Sequence, residues 1–305
     1  MPPEIEIALI YAGAVIFGMR ERKKYIIKNM KLVIGASGYV GRNLHNHFLE
    51  IGQPCHGTYN RFQKDGLEYF DLENPDINKL GVNIKKVDYA ILCSVISNIN
   101  ECRNNPEKSR KINVKGTKFF LSQCFELGIV PIFFSSDRVF DGKKGNYLEE
   151  DLTQPCTSYG KQKKEVEDFL KSSGEQYVIS RISKIFGLIP GDGTLLTKWA
   201  ELMINNQEIR CTTDQRFSLT YIGDLEKAVD LIIEKNLRGV YNISAPEVFT
   251  RYELANKIKS ELSIDAGKIV PCSRKDFDSE DHESFDMSLN SEKFRKETGF
   301  EFRDM

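Results

Sequence analysis

The sequence has almost no net charge: 43 lysines and arginines stand against 44 aspartates and glutamates in 305 residues. Without an excess of one sign there is no field to hold the chain on nucleic acid or anionic lipid, and a small-molecule partner is favoured. The seven cysteines include no CxxC motif. That argues against a disulfide framework and suits a reducing compartment, where thiols serve as small apolar fillers. The four histidines, His45, His47, His56 and His282, show no zinc-ligand spacing. His45 and His47, two apart on an expected helix, point away from each other, so no metal is expected. Internal repeats and low-complexity tracts are absent.

A long hydrophobic run is also missing. The apolar stretch 7–18 is twelve residues long, short of the roughly 18–20 that cross a bilayer. Glu4 and Glu6 precede it and Arg20, Arg22, Lys23 and Lys24 follow it, the reverse of a secretory signal. Residues 1–29 are expected to form a poorly ordered extension, with a peripheral membrane anchor as the alternative. The protein is expected in the cytoplasm, without stable membrane insertion. Its oligomeric state is left open, a homodimer being one option.

What is present from Met30 onward is an alternation of short apolar runs with longer helical patterns, the signature of parallel βαβ units. The expected class is α/β: a doubly wound parallel Rossmann sheet with a smaller C-terminal substrate-binding lobe. Strands are placed at 31–34, 55–59, 89–93, 132–135 and 177–182, and helices at 40–51, 106–127 and 158–172, the last stopping near Gly174. After Phe186, Pro190, Gly191 and Gly193 mark a crossover. The dinucleotide-binding domain is therefore expected over 30–187, with 222–249 returning to it, and the substrate lobe over 188–305. A strand at 239–244, a helix at 251–262 and a polar, acidic loop at 273–284 complete the expectation.

Gly35, Gly38 and Gly41 sit three apart in KLVIGASGYVG, after a strand and opening a helix. The first permits a tight turn, the second clears space for a pyrophosphate, and the third lets helix and strand pack closely. The free N–H groups and positive dipole end of the helix favour phosphate. About 25 residues on, a cofactor lacking the 2′-phosphate usually meets an acidic residue; here stand Tyr59, Asn60 and Arg61, with Lys64 nearby. NADP(H) is expected to bind, with NAD(H) second.

Ser135 and Ser136 in SSDRVFDG end an apolar strand, where open α/β sheets place their chemistry. Tyr159 and Lys163 are four apart on one helix face. Reducing a ketone requires hydride at carbon and a proton at the developing alkoxide, and a tyrosine can donate it if its pKa falls. Lowering it three units takes roughly 4 kcal/mol, which an ammonium about 4 Å away supplies at an effective dielectric of about 20. Lys163 is the candidate ammonium, also placed to hold the nicotinamide ribose, and the Ser136 hydroxyl would orient the carbonyl.

Together GASGYVG, NVKGT, SSDRVFDG, YGKQK, DQRFSLT and NISAPEVFTRYELA resemble the extended short-chain dehydrogenases, most closely the dTDP-4-dehydrorhamnose reductase family, over residues 30–302. The resemblance implies NADPH-dependent reduction of the 4-keto group of a nucleotide-linked deoxysugar for surface polysaccharide synthesis. It implies catalysis by Ser136, Tyr159 and Lys163. For the cofactor it implies contacts from the glycine turn (Gly35, Ser37, Gly38, Tyr39, Val40, Gly41), from Asn60, Arg61, Asp71 and Leu72, and from Cys93, Ser94 and Val95. Asn113 matches the asparagine that supports the active-site helix, and Ser97, Asn100, Asp137, Arg138 and Lys184 are assigned to the substrate.

Three of these depart from the family pattern. Arg138 stands where Tyr is usual, Lys184 where Trp is usual, and Asn100 where an Asp is usual. Each change is toward positive charge. Either the sugar bears an extra anionic group, or a phosphate replaces its nucleotide, for Arg138 and Lys184 to pair with; or these side chains are solvated or paired locally. Two other functions stay open: an epimerase or dehydratase that recycles its nucleotide, and a regulatory subunit, since the methionine adenosyltransferase β subunit resembles the same family.

Overall fold

A computed structural model describes residues 30–277, 280 and 284–305. The expected N-terminal extension, residues 278–279 and 281–283 of the expected acidic loop, and His282 lie outside the described residues. The chain runs β1 (Met30–Ile34), α1 (Tyr39–Glu50), β2 (Cys55–Tyr59), β3 (Glu68–Tyr69), β4 (Val87–Leu92), α2 (Ile99–Asn104) and α3 (Pro106–Arg110). A π-helical turn, Lys111–Gly116, leads into α4 (Thr117–Glu126), followed by β5 (Val130–Ser136), α5 (Ser158–Ser172) and β6 (Val178–Ile182). Next come β7 (Lys184–Phe186), α6 (Leu195–Ile204), β8 (Glu208–Thr212), β9 (Arg216–Tyr221), α7 (Ile222–Glu234) and β10 (Gly239–Ile243). The chain ends with β11 (Val248–Thr250), α8 (Arg251–Glu261), β12 (Lys268–Cys272) and α9 (Glu292–Thr298).

Seven strands form one sheet in the order β10-β6-β5-β4-β1-β2-β3, and every pairing in it is parallel. This is the expected doubly wound Rossmann sheet, covered on both faces as parallel sheets must be. Successive residues of a strand face opposite sides. Val33 accordingly packs with Leu44 and Phe48 of α1 and Val229 of α7, whereas Leu32 and Ile34 pack with Phe120 and Leu121 of α4 and Val166 of α5. Strand order reverses between β1 and β4, and a crevice opens at the carboxyl ends of strands at such a point.

The helix expected over 106–127 is present but widened by the π-helical turn, which re-aims the side chains inside it. Its last residue, Gly116, lies so close to the chain after β3 that an added Cβ would fall 1.5 Å from the Leu72 carbonyl oxygen. His45 and His47 do point apart: His47 meets Asp230 of α7 at 2.6 Å, and His45 faces Gly57 of β2.

The smaller lobe contains a three-stranded sheet, β11-β9-β7, and a parallel pair, β12-β8. Its core joins Trp199 and Met203 of α6 to Leu254 and Ile258 of α8. The closing segment belongs elsewhere. Phe294 of α9 and Phe302 are buried in the main-sheet core, with Phe300 packed against it, and the rings of Phe294 and Tyr241 on β10 meet edge to face at 6.0 Å.

Gly116→Ala tests the tightest backbone approach. The forced shift should cost about 3 kcal/mol, read as a lower denaturation midpoint; an unchanged midpoint would show that the helix passes Leu72 at a greater distance.

Candidate active site

The glycine turn lies at the crevice. Gly35 has φ +87°, and its Cβ position is 2.8 Å from the Ser94 side chain, so the ends of β1 and β4 meet without room for one. A Cβ on Gly41 would fall 2.2 Å from the Gly35 carbonyl, which keeps α1 pressed on the turn. Gly38 differs. Its Cβ position makes only an ordinary contact, 3.5 Å from the Gly35 carbonyl, so nothing in the protein itself demands glycine there. Gly38 is also the N-cap of α1 and supplies no side-chain cap. The turn thus offers open space and helix N-terminal N–H groups, which fits a pyrophosphate.

Two cavities meet at this turn. One, of about 300 Å³, is lined by Gly35, Ser37, Gly38, Asn60, Arg61, Asp71, Leu72, Cys93, Ser94 and Val95, residues that the sequence assigns to the cofactor. The other, of about 510 Å³, is lined by Tyr39, Val40 and Gly41 and by Ser136, Asp137, Arg138, Tyr159, Lys163 and Lys184. Gly38, Cys93, Val95 and Ser97 line both, making one continuous crevice. Asn100 lines neither; it is exposed on the first turn of α2. The first turn of α2 thus leaves Asn100 outside both cavities, apart from the other residues expected at the substrate.

Within the larger cavity, β5 delivers Ser136 and α5 delivers Tyr159 and Lys163. The Ser136 hydroxyl donates to Asp137 Oδ1 at 2.8 Å and accepts the Arg138 N–H at 3.2 Å. Asp137 also accepts from the Ser183 hydroxyl at 3.0 Å. The Lys163 ammonium, on a residue 2% exposed, donates to the Phe134 carbonyl at 2.6 Å and lies over the Phe133 ring at 4.5 Å.

Burial lowers Lys163 to about 7, partly opposed by the carboxylate of Glu167. Tyr159 moves the other way: burial and then the Asp137 charge raise its phenol above the ordinary value, against smaller downward pulls from Arg138 and a hydrogen bond with Ser136. This corrects the expectation that the ammonium draws the phenol toward neutrality. Desolvation favours the neutral form of both groups, and it is the largest cause of each shift.

Two buried networks hold α5. Asn113, inside the π-helical turn, accepts the Ile96 N–H at 2.8 Å and donates to the Ile96 carbonyl at 2.9 Å and to Gln162 Oε1 at 2.8 Å. On the other side Glu167, fully buried, takes both Arg181 Nε at 3.0 Å and a terminal nitrogen at 2.7 Å, plus the Ser135 hydroxyl at 2.6 Å. Several lining residues escaped the sequence reading: Ser183, Gln215, Phe217 and Arg251. Arg251 left a signal, being a cation at the first position of a helix, where the dipole disfavours one.

A doubly wound parallel sheet with its glycine turn at the switch point, and a Ser, Tyr and Lys set on the adjoining wall, defines the class: a Rossmann-fold protein of the extended short-chain dehydrogenase type. A profile of the RmlD substrate binding domain matches residues 30–305, and the chain belongs to that family. It is 27% identical over 240 residues to the spore coat polysaccharide biosynthesis protein SpsK of Bacillus subtilis, covering 77% of this chain and 80% of that one. It is 23% identical over 247 residues to the methionine adenosyltransferase 2 subunit beta of Xenopus tropicalis, covering 79% and 74%. In fold it is similar to the crystal structure of dTDP-4-dehydrorhamnose reductase from Bacillus anthracis in complex with NADP, with a TM-score of 0.79 at 20% identity, over 91% of this chain and 96% of that one.

The Lys163 assignment has a pH signature. Below pH 7 the folded protein carries a charged, desolvated ammonium; above it the folded state releases a proton that the unfolded chain keeps until near the ordinary value of 10.5. Parental stability therefore gains as pH rises between these limits. Without cofactor, the stability of Lys163→Met relative to the parent should be highest near pH 6 and fall by on the order of a few kcal/mol toward pH 10. A pH-independent difference in melting would contradict the buried charge.

Proposed function

We propose that the protein is an NADPH-dependent reductase of a nucleotide-linked 4-ketosugar, acting in the cytoplasm in the synthesis of a surface polysaccharide precursor. One observation carries the reading: the crevice from the glycine turn runs without a break to the wall bearing Ser136, Tyr159 and Lys163. Residues 30–187, with 222–249, would hold the cofactor, and the lobe within 188–305 would close over the sugar. Among the described residues no helix is long and apolar enough to cross a membrane.

Gly35, Ser37, Gly38, Tyr39, Val40 and Gly41 would hold the pyrophosphate, Asp71 and Leu72 the adenine, and Asn60 and Arg61 the adenosine ribose with its 2′-phosphate. Cys93, Ser94 and Val95 would form the floor. The bound dihydronicotinamide supplies the hydride. Tyr159, held protonated by its raised pKa, donates the proton to the developing alkoxide. Lys163 steadies the nicotinamide ribose from its buried seat, and the Ser136 hydroxyl turns from Asp137 to the substrate carbonyl. Ser97, Asp137, Arg138 and Lys184 face the sugar.

Absorbance loss of NADPH with a panel of nucleotide 4-ketosugars tests this. Tyr159→Phe should lower kcat by about 10²- to 10⁴-fold with cofactor affinity nearly unchanged. Arg61→Ala should erode the preference for NADPH over NADH by about tenfold. Turnover without net NADPH loss would indicate an epimerase or dehydratase. NADPH binding with no turnover of any member would favour a subunit that regulates another enzyme.

A further inference from the structure

Two arginines in or beside the larger cavity are answered by carboxylates: Arg138 has Asp137 Oδ1 at 3.9 Å, and Arg216 of β9 has Glu253 Oε1 at 3.8 Å. Lys163, lowered to about 7, adds little fixed charge at neutral pH. Arg251 is different. It lines the cavity and is partly buried, yet among the described residues its guanidinium has neither an ion pair nor a hydrogen bond. It lies over the Phe217 ring at 5.6 Å. The charged group acting on it most strongly is Arg138, a repulsion that joins burial in holding it below its ordinary value.

Arg251 is also the first residue of α8, after the N-cap Thr250, where the helix dipole disfavours a cation. The nearby Glu253 carboxylate does not relieve it, because that group takes the Thr250 N–H at 2.7 Å in the capping box and faces Arg216. A guanidinium drawn out of water without an acceptor is costly. An anion in the cavity removes all three penalties together: the unmet donors, the dipole and the like charge. The guanidinium fork, its plane held against Phe217, is shaped for two oxygens of a phosphate. Its place in the cavity matters too. Ser136, Tyr159 and Lys163 come from β5 and α5 of the main sheet, whereas Phe217 and Arg251 come from the small lobe. The lobe side therefore suits a part of the substrate that binds without reacting.

We propose that Arg251, stacked on Phe217, is an anion subsite of the small lobe that takes the diphosphate of the nucleotide-linked substrate. This assigns a residue to the substrate of the site described above and rests on that reading. Calorimetric titration of the full chain tests it with unreactive probes, dTDP against dTMP and UDP against UMP, at saturating NADP⁺ so that the glycine turn is already filled. At least one diphosphate should bind more tightly than its monophosphate. Arg251→Met should weaken that diphosphate about 10- to 100-fold, with the monophosphate and NADP⁺ much less affected. Arg251→Lys, which keeps the charge and loses the fork, is the second variant and should also narrow the gap between diphosphate and monophosphate. Failure of both diphosphates to bind, a gap unchanged in both variants, or an equal loss for diphosphate and monophosphate would overturn the proposal. The two readings fail separately: absence of NADP⁺ binding counts against the reductase assignment, while the comparison of parent and variants with dTDP and UDP still decides this one.

Discussion

The site depends on an amine held almost wholly inside the protein, Lys163 being 2% exposed. A charged amine in a protein interior is costly unless polar groups surround it, and Lys163 has the Phe134 carbonyl at 2.6 Å, the face of Phe133, and the Glu167 carboxylate nearby to offset that cost. None of these can shift independently. Phe133 and Phe134 belong to the central strand β5, and Glu167 is fixed by Arg181 and Ser135 in a fully buried cluster. Removing one member of such a pair strands the other, a loss of about 3–5 kcal/mol. The network therefore contributes position more than stability: it sets the register of α5 against β5, and hence where Tyr159 and Lys163 meet the crevice.

The same economy of position links the two lobes. Ser183 lies between β6, in the main sheet, and β7, in the small one. Its hydroxyl reaches both Asp137 and the Ser218 carbonyl of β9. On the opposite side of the crevice, the Tyr39 hydroxyl of α1 donates to Asp192, beside the start of α6, at 3.0 Å. The main sheet and the small lobe are thus tied by short polar contacts at the border of the crevice.

Much of the main sheet was legible because its signals are local. The strand expected at 55–59 and the helix at 158–172 coincide with β2 and α5, and the strand at 31–34 is one residue short of β1, whose buried Leu32, Val33 and Ile34 form the apolar run of a parallel strand. The lobe was not legible in the same way. β7 and β11 have three residues each, too few for a period to emerge, and they exist as strands only because β9 pairs with both. The π-helical turn at Lys111–Gly116, where Gly116 passes close to Leu72, is equally silent in sequence. At the site, residue identity was readable and burial was not. The YxxxK spacing puts phenol and ammonium on one face, but the direction of their pKa shifts follows from desolvation, which only packing determines. Arg251 was overlooked because only the packing of α8 brings it to the cavity wall.

In the proposed function a dinucleotide lies across the carboxyl ends of β1 and β4 with its reactive end against α5. Hydrogen–deuterium exchange of the full chain, with and without NADPH, addresses it directly. Binding should slow exchange in the turn at 35–41 and in the segment 93–97, with a smaller effect near Tyr159. Protection confined to other surfaces, or unchanged exchange in both segments at saturating NADPH, would rule that placement out.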